Sequence, residues 1–307
     1  MVRALVLSAG CLLLVGCAPK LVVGERHQTD AGGTGAAGEG GAAGEGGVAG
    51  ESGAAGAAGE GGAAGESGAA GAAGAPARQC PDYDNVPAPT DPIAVPWSTS
   101  FENGFCDFEE VGGFCFGGGM YSTVASPTPR TGEFSAEFSV NTDDTSTNQA
   151  RCVRQGVLPS EAYYGAWFYI PVHASLDGTS SLWNLLHFQG GDTSKDGLWD
   201  VSVVNGPTGE VHLLVFDFLN GTVRMPENPT PVPIGSWFRI QFYLKRASDA
   251  TGQIRLYQDG KLLVDVKNIV TDDSSWAQWY VGNIAKELTP SISTLYVDDV
   301  TIATTLL

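Results

Sequence analysis

The chain holds 307 residues, with 16 Lys and Arg against 34 Asp and Glu and a formal net charge of −18. So acidic a surface is repelled by nucleic-acid phosphates, which excludes nucleic acid as a partner. It also weighs against a strongly anionic polysaccharide unless a local basic groove overrides the net charge, and it suits bound calcium.

In chain order, residues 1–16 read as a signal peptide. Arg3 supplies the positive start, and Leu5 to Val15 is an apolar run too short to span a bilayer. The run ends in Leu14-Val15-Gly16-Cys17, which resembles the bacterial lipobox. That resemblance implies that Cys17 becomes the acylated N-terminus, held by several acyl chains. Ala18 after it points to the outer membrane or cell surface. The competing reading is an ordinary secretory signal with a chance Cys. Residues 17–30 follow as the anchor segment.

Residues 31–77 contain only Gly, Ala, Glu, Ser, Thr, Val and one Pro. Such a stretch has almost nothing to bury and cannot offset the entropy of ordering it. Gly recurs at every third position from Gly32 to Gly74, the collagen period, yet Pro is absent until Pro76. We read a flexible stalk grown by triplet duplication, roughly 40 Å end to end, with a trimeric stalk as the lesser alternative.

Residues 78–307 carry all seven Trp and all nine Tyr and suffice for one large domain. Period-two alternation predicts strands at 134–140, 163–170, 182–189, 199–204, 211–218, 237–244, 252–257, 262–266 and 294–302. Turn pairs separate them, and Asp259-Gly260 marks a hairpin. No long segment has a helical apolar period, so the class is all-β, a two-sheet sandwich. Export leaves Cys80, Cys106, Cys115 and Cys152 as an even set in an oxidising compartment, which predicts two disulfides. Zinc is disfavoured, because no CxxC or HxxxH spacing is present. Three connectivities are possible. The favoured one is Cys106–Cys115, closing a short Gly-rich hairpin, with Cys80–Cys152 tying the stalk's end to the domain.

Four blocks carry a family resemblance. They are Tyr163-Tyr164-Gly165-Ala166-Trp167-Phe168-Tyr169-Ile170-Pro171, Gly235-Ser236-Trp237-Phe238-Arg239-Ile240, the run from Thr251 to Lys261, and Leu295-Tyr296-Val297-Asp298-Asp299-Val300. Together they resemble the concanavalin A-like jelly-roll superfamily, and the first is most similar to its polysaccharide-lyase branch. The resemblance implies a jelly-roll sandwich with a ligand groove on one sheet. Alternation then places Trp167 and Tyr169, Trp183, His187 and Gln189, and Arg239, Gln241 and Tyr243 on polar–aromatic faces, and we expect them to share one cleft. Aromatic rings stack on sugar C–H faces, while planar polar groups bind hydroxyls or carboxylates.

In the lyases of this superfamily a Gln and a His two apart on one strand neutralise the uronate and take its C5 proton, and a Tyr protonates the leaving oxygen. His187-Phe188-Gln189 supplies the pair in reversed order. The late Gly-Asn-Tyr element reads Gly282-Asn283-Ile284, so its Tyr is missing, with Tyr243 or Tyr280 as substitutes. These departures rank a polysaccharide binder ahead of a uronate lyase using His187, Gln189 and Tyr243. A structural or adhesion protein is the third reading, and a glycoside hydrolase ranks lower because no E-x-D-x-x-E strand motif is present. The resemblance to carbohydrate-binding modules further implies a structural calcium shared by Glu102, Asp298 and Asp299. Asp192–Gly197 opens like a calcium loop, but its twelfth position is Val203, so a polar turn is expected. No organic cofactor is expected.

Overall fold

The computed structural model describes residue 80 and residues 90–117, 119–143, 146–190, 198–272 and 277–307. The signal, Cys17, the stalk and the Asp192–Gly197 turn lie outside the described residues.

The elements in order are β1 Trp97–Thr99, α1 Cys106–Glu109, β2 Phe114–Gly117, β3 Met120–Val124, β4 Ser135–Asn141, β5 Asn148–Gly156, β6 Glu161–Tyr169, β7 Ser175–Leu176, β8 Leu182–Gly190, β9 Trp199–Asn205, β10 Val211–Asp217, β11 Thr222–Arg224, β12 Trp237–Lys245, β13 Gly252–Gln258, β14 Lys261–Ile269, β15 Ala277–Lys286, β16 Leu288–Thr289 and β17 Ile292–Ala303. One sheet runs β14-β13-β12-β6-β17-β4-β3, with β1 added beside β17. The other runs β11-β10-β9-β8-β15-β5-β2, and β16 and β7 form a small pair. All neighbours are antiparallel. This is the expected all-β jelly-roll sandwich.

Strict alternation drives the layering. In β12, Phe238, Ile240, Phe242 and Leu244 are fully buried, and the residues between them face away from the core. Rings interlock across the two sheets: Tyr164 meets Phe188 at 5.0 Å and Trp279 at 5.2 Å, and Phe188 meets Phe242 at 5.0 Å. Burying several aromatic side chains at roughly 2–3 kcal/mol each is what offsets the ordering of so many strands. Asn283, itself fully buried, joins the layers by polar bonds. Its Nδ2 donates to the carbonyls of Phe138 (3.2 Å) and Ser293 (3.0 Å), and its Oδ1 accepts from Trp183 Nε1 (3.2 Å).

The four cysteines form two bridges, but not in the favoured pairing. The bonds are Cys80–Cys106 and Cys115–Cys152. Cys115 lies in β2 directly opposite Cys152 in β5, a cross-strand register that brings their Cα atoms within 4.0 Å. Cys106 instead belongs to the short α1, so the hairpin expected between Cys106 and Cys115 does not form.

Candidate functional site

Residues expected to share one cleft divide between the two sheets. Trp167 and Tyr169 on β6, with Arg239, Gln241 and Tyr243 on β12, belong to the eight-stranded sheet. His187 and Gln189 on β8 belong to the seven-stranded one. The two groups lie on outer faces separated by the core, so a single cleft containing both is ruled out. Tyr243 cannot act with His187. Its hydroxyl donates to Glu161 at 2.5 Å on the far sheet, and burial followed by that hydrogen bond raises its pKa beyond the usual phenol range.

Trp183 belongs to neither face. It is buried in the core, bonded to Asn283. The cause is a β-bulge. Asn184 pairs with Ser202 and Leu186 with Val201, which leaves Leu185 as an extra residue. One inserted residue reverses the alternation, so Trp183 and Leu185 point inward before it, and Leu186 and Phe188 point inward after it. His187 is therefore outward although Trp183, four residues earlier, is not.

The outer face of the seven-stranded sheet gathers a second constellation. Asp200, His187 and Tyr280 are successive cross-strand neighbours on β9, β8 and β15, and Gln189, Gln278 and Gln155 form the next row on β8, β15 and β5. His187 Nδ1 bonds the Asp200 carboxylate. Asp200 accepts the hydrogen bond from Nδ1–H, which leaves the other ring nitrogen, Nε2, unprotonated to meet a substrate. The His187 ring lies 5.3 Å from Tyr280 and 6.2 Å from Phe218. The Tyr280 hydroxyl touches Gln189 Oε1 at 3.0 Å and also Gln278 Oε1. A hydroxyl donates only once, so one of these amides is best turned to donate an N–H instead.

Arg151 on β5 completes the group. Its guanidinium covers the Tyr280 ring at 4.0 Å and the Phe116 ring at 5.3 Å. Arg151 sits opposite Gly282, where a Cβ would fall 2.7 Å from the Arg151 Cβ, so a side chain there would displace the arginine. Burial lowers Arg151 to about 10 against the opposing pull of Tyr280 and Asp200, so it stays cationic at neutral pH. Burial likewise pushes Tyr280 up to about 12, with Arg151 opposing, so the hydroxyl keeps its proton. The Arg151 Nε is buried with no hydrogen-bond partner among the described residues. A buried N–H of that kind is costly unless a ligand atom meets it.

The sequence pointed to His187 and Gln189, offered Tyr280 only as a substitute, and did not point to Arg151, Asp200 or Gln278. Arg151 adjoins Cys152, whose bridge to β2 holds Phe116 beside it. That adjacency was the available signal.

The three carboxylates expected to share a calcium meet at one loop and accept hydrogen bonds from it. Glu102 Oε1 accepts the backbone N–H groups of Glu133 and Phe134 at 2.9 and 3.0 Å. Asp298 Oδ2 accepts those of Arg130 and Thr131 at 2.9 and 3.1 Å, and its Oδ1 accepts from Asp299. Asp299 Oδ1 accepts the Thr131 hydroxyl at 2.7 Å. Among the described residues no three His, Cys, Asp or Glu gather as a metal site. As arranged, the carboxylates clamp the loop at residues 130–134. Gly132 belongs to that clamp: its φ is +65°, and a Cβ there would lie 2.2 Å from Glu102 Oε1.

A search of curated proteins returns no match. Among solved structures, the chain is similar to an endo-β-1,4-glucuronan lyase from the fungus Trichoderma reesei at 20% identity and TM-score 0.46, over 62% of this chain and 90% of that one. The cellulose-induced protein Cip1 gives 14% identity and TM-score 0.48, over 68% and 98%. An alginate lyase, Aly36B, in complex with alginate trisaccharide gives 12% and 0.46, over 69% and 98%. A family model described as polysaccharide lyase matches residues 108–301, a span that holds Arg151, His187, Gln189 and Tyr280. With that match covering more than half of its length, the chain belongs to the polysaccharide lyase family.

Proposed function

We propose that the protein cleaves uronate-containing polysaccharides by β-elimination. The observation that carries this reading is the meeting of Arg151, His187, Gln189 and Tyr280 on one outer sheet face. Arg151 and Gln189 hold the uronate carboxylate and so acidify the C5–H beside it. His187 Nε2 takes the C5 proton, and the electron pair left behind forms the C4–C5 double bond. The C4–O4 bond breaks, and Tyr280 passes its proton to the departing oxygen. Asp200 keeps His187 in the tautomer this step requires. The family match and this constellation reverse the order in which the sequence ranked binding and cleavage.

The experiment is incubation with glucuronan and alginate, following the ultraviolet absorbance of the conjugated uronate product. His187→Ala should lower that rate by about 10²-fold or more while the polymer is still bound. No conjugated product from any uronate polymer would sink the proposal. We also infer that Cys17 anchors the enzyme by lipid outside the cytoplasm, at the outer membrane or cell surface, with residues 31–77 as its spacer. The lipobox resemblance supports that placement.

A further inference from the structure

The aromatic and basic residues stranded on the opposite sheet form an ordered arrangement of their own. Tyr296, Tyr169 and Trp237 are successive cross-strand neighbours on β17, β6 and β12. Their rings sit 6.0 and 5.6 Å apart. Strands are spaced about 4.8 Å apart, so the row crosses the sheet over roughly 10 Å, the length of a disaccharide. The next row is Asp298, Trp167 and Arg239. Over Trp167 stand two guanidinium groups, Arg130 at 4.3 Å and Arg239 at 5.8 Å. Among the described residues neither cation is in an ion pair.

The loop bearing Arg130 is fixed from several sides. Asp298 accepts the Arg130 N–H itself, Asp299 holds Thr131, and Glu102 holds Glu133 and Phe134. Trp237 Nε1 donates to the Thr128 carbonyl at 3.2 Å. These carboxylates thus deliver a cation to the face of Trp167. Arg130 is exposed, while Trp167, Tyr169, Trp237, Arg239 and Tyr296 are half-buried. Burial lowers the Arg239 guanidinium, Asp299 opposes that shift and the nearby charge of Arg130 adds to it, which places the two cations in one field. On one side the patch ends at Gln241. With its amide oriented to match donors and acceptors, Gln241 pairs with the Leu307 backbone at 3.0 and 3.2 Å.

We propose that this face is a second glycan site that holds an anionic stretch of the polysaccharide chain away from the His187 face. The two arginines grip a uronate carboxylate, and the Tyr296–Tyr169–Trp237 row stacks against the sugar C–H faces. The inference rests on the proposed function only for the kind of polymer. Its role is to keep a long chain on the enzyme between cleavage events, which raises the local concentration of cleavable bonds.

Affinity electrophoresis in gels containing glucuronan, alginate or a neutral β-glucan tests it, with His187→Ala as the background so that the polymer stays intact. His187→Ala protein should be slowed by at least one of the two anionic polymers and not by the neutral one. Adding Arg130→Ala or Trp237→Ala should weaken that retardation by about tenfold, with melting temperatures measured to confirm folding. Alone, Arg130→Ala should leave turnover of short oligouronates unchanged and slow turnover of the polymer. Equal retardation with and without Arg130 and Trp237, retardation by the neutral polymer to the same degree, or none by either anionic polymer would overturn the site. Retardation that depends on Arg130 in a protein producing no unsaturated uronate would overturn the lyase reading and leave the second site standing.

Discussion

At the scale of single residues, the His187 face reads as a division of labour set by surroundings. Tyr280 holds its proton because burial raises it to about 12, which keeps a proton available at neutral pH for the proposed elimination. Asp200 occupies Nδ1 of His187 and so leaves Nε2 for the base role proposed here. Asp200→Asn keeps the shape but no longer requires a proton on Nδ1, so kcat should fall by roughly 10–100-fold with KM nearly unchanged. Steady-state kinetics on glucuronan or alginate would check this, and a loss confined to KM would move Asp200 out of its positioning role. Since Tyr280 ionises only near 12, it should not produce an alkaline loss of rate in the pH profile below that value. Trp183 behaves differently from its neighbours on β8. Trp183→Ala should destabilise the fold by about 3–5 kcal/mol through a cavity and the stranded Asn283 oxygen. A denaturant melt showing less than about 1 kcal/mol would place that ring outside the core.

At the scale of elements, what could be read in advance follows from alternation. The nine expected strands all form, because in β12 each inward apolar residue is followed by an outward polar or aromatic one. The strands missed include β5 and β15, which carry Arg151, Tyr280 and Gln278. In β5 the sequence Asn148-Gln149-Ala150-Arg151-Cys152-Val153-Arg154-Gln155 is too polar to read as a strand, since a disulfide and a bonded Arg154 replace apolar anchors. In β15 the bulge at Gly282 and Asn283 breaks the period. The same kind of interruption at Leu185 put Trp183 on the wrong face of β8. Period-two reasoning holds only between bulges, and bulges concentrate near active sites. The loop at residues 130–134 gives an element-scale test. Backbone N–H groups already occupy Glu102 and Asp298, so a chelator should leave the melting temperature unchanged. A chelator-dependent drop of several degrees would instead restore calcium to this set.

At the scale of the whole molecule, the charge balance and the two faces work in opposite directions. A chain of net charge −18 repels a polyuronate at long range. Arg151 on one face and the Arg130–Arg239 pair on the other give local attraction where contact is needed. Raising ionic strength screens the repulsion first, so activity on polymer should rise from low to moderate salt before it falls. Placement in the cell rests on Cys17. Cys17→Ser should abolish palmitate labelling and release the protein from membrane fractions. Labelling that persists would remove the anchor and, with it, the role assigned to residues 31–77.

The Cys80–Cys106 bridge also decides how the domain meets a mechanical load. A pull on the chain ahead of residue 80 passes through the bridge to Cys106, beside the buried Phe108, and skips residues 81–105. β1, held to the sheet by three residue pairs with β17, is thereby spared the tension that would peel it away first. Reduction of that one bond would turn a pull at residue 80 from a handle on the core into a zip on the edge strand.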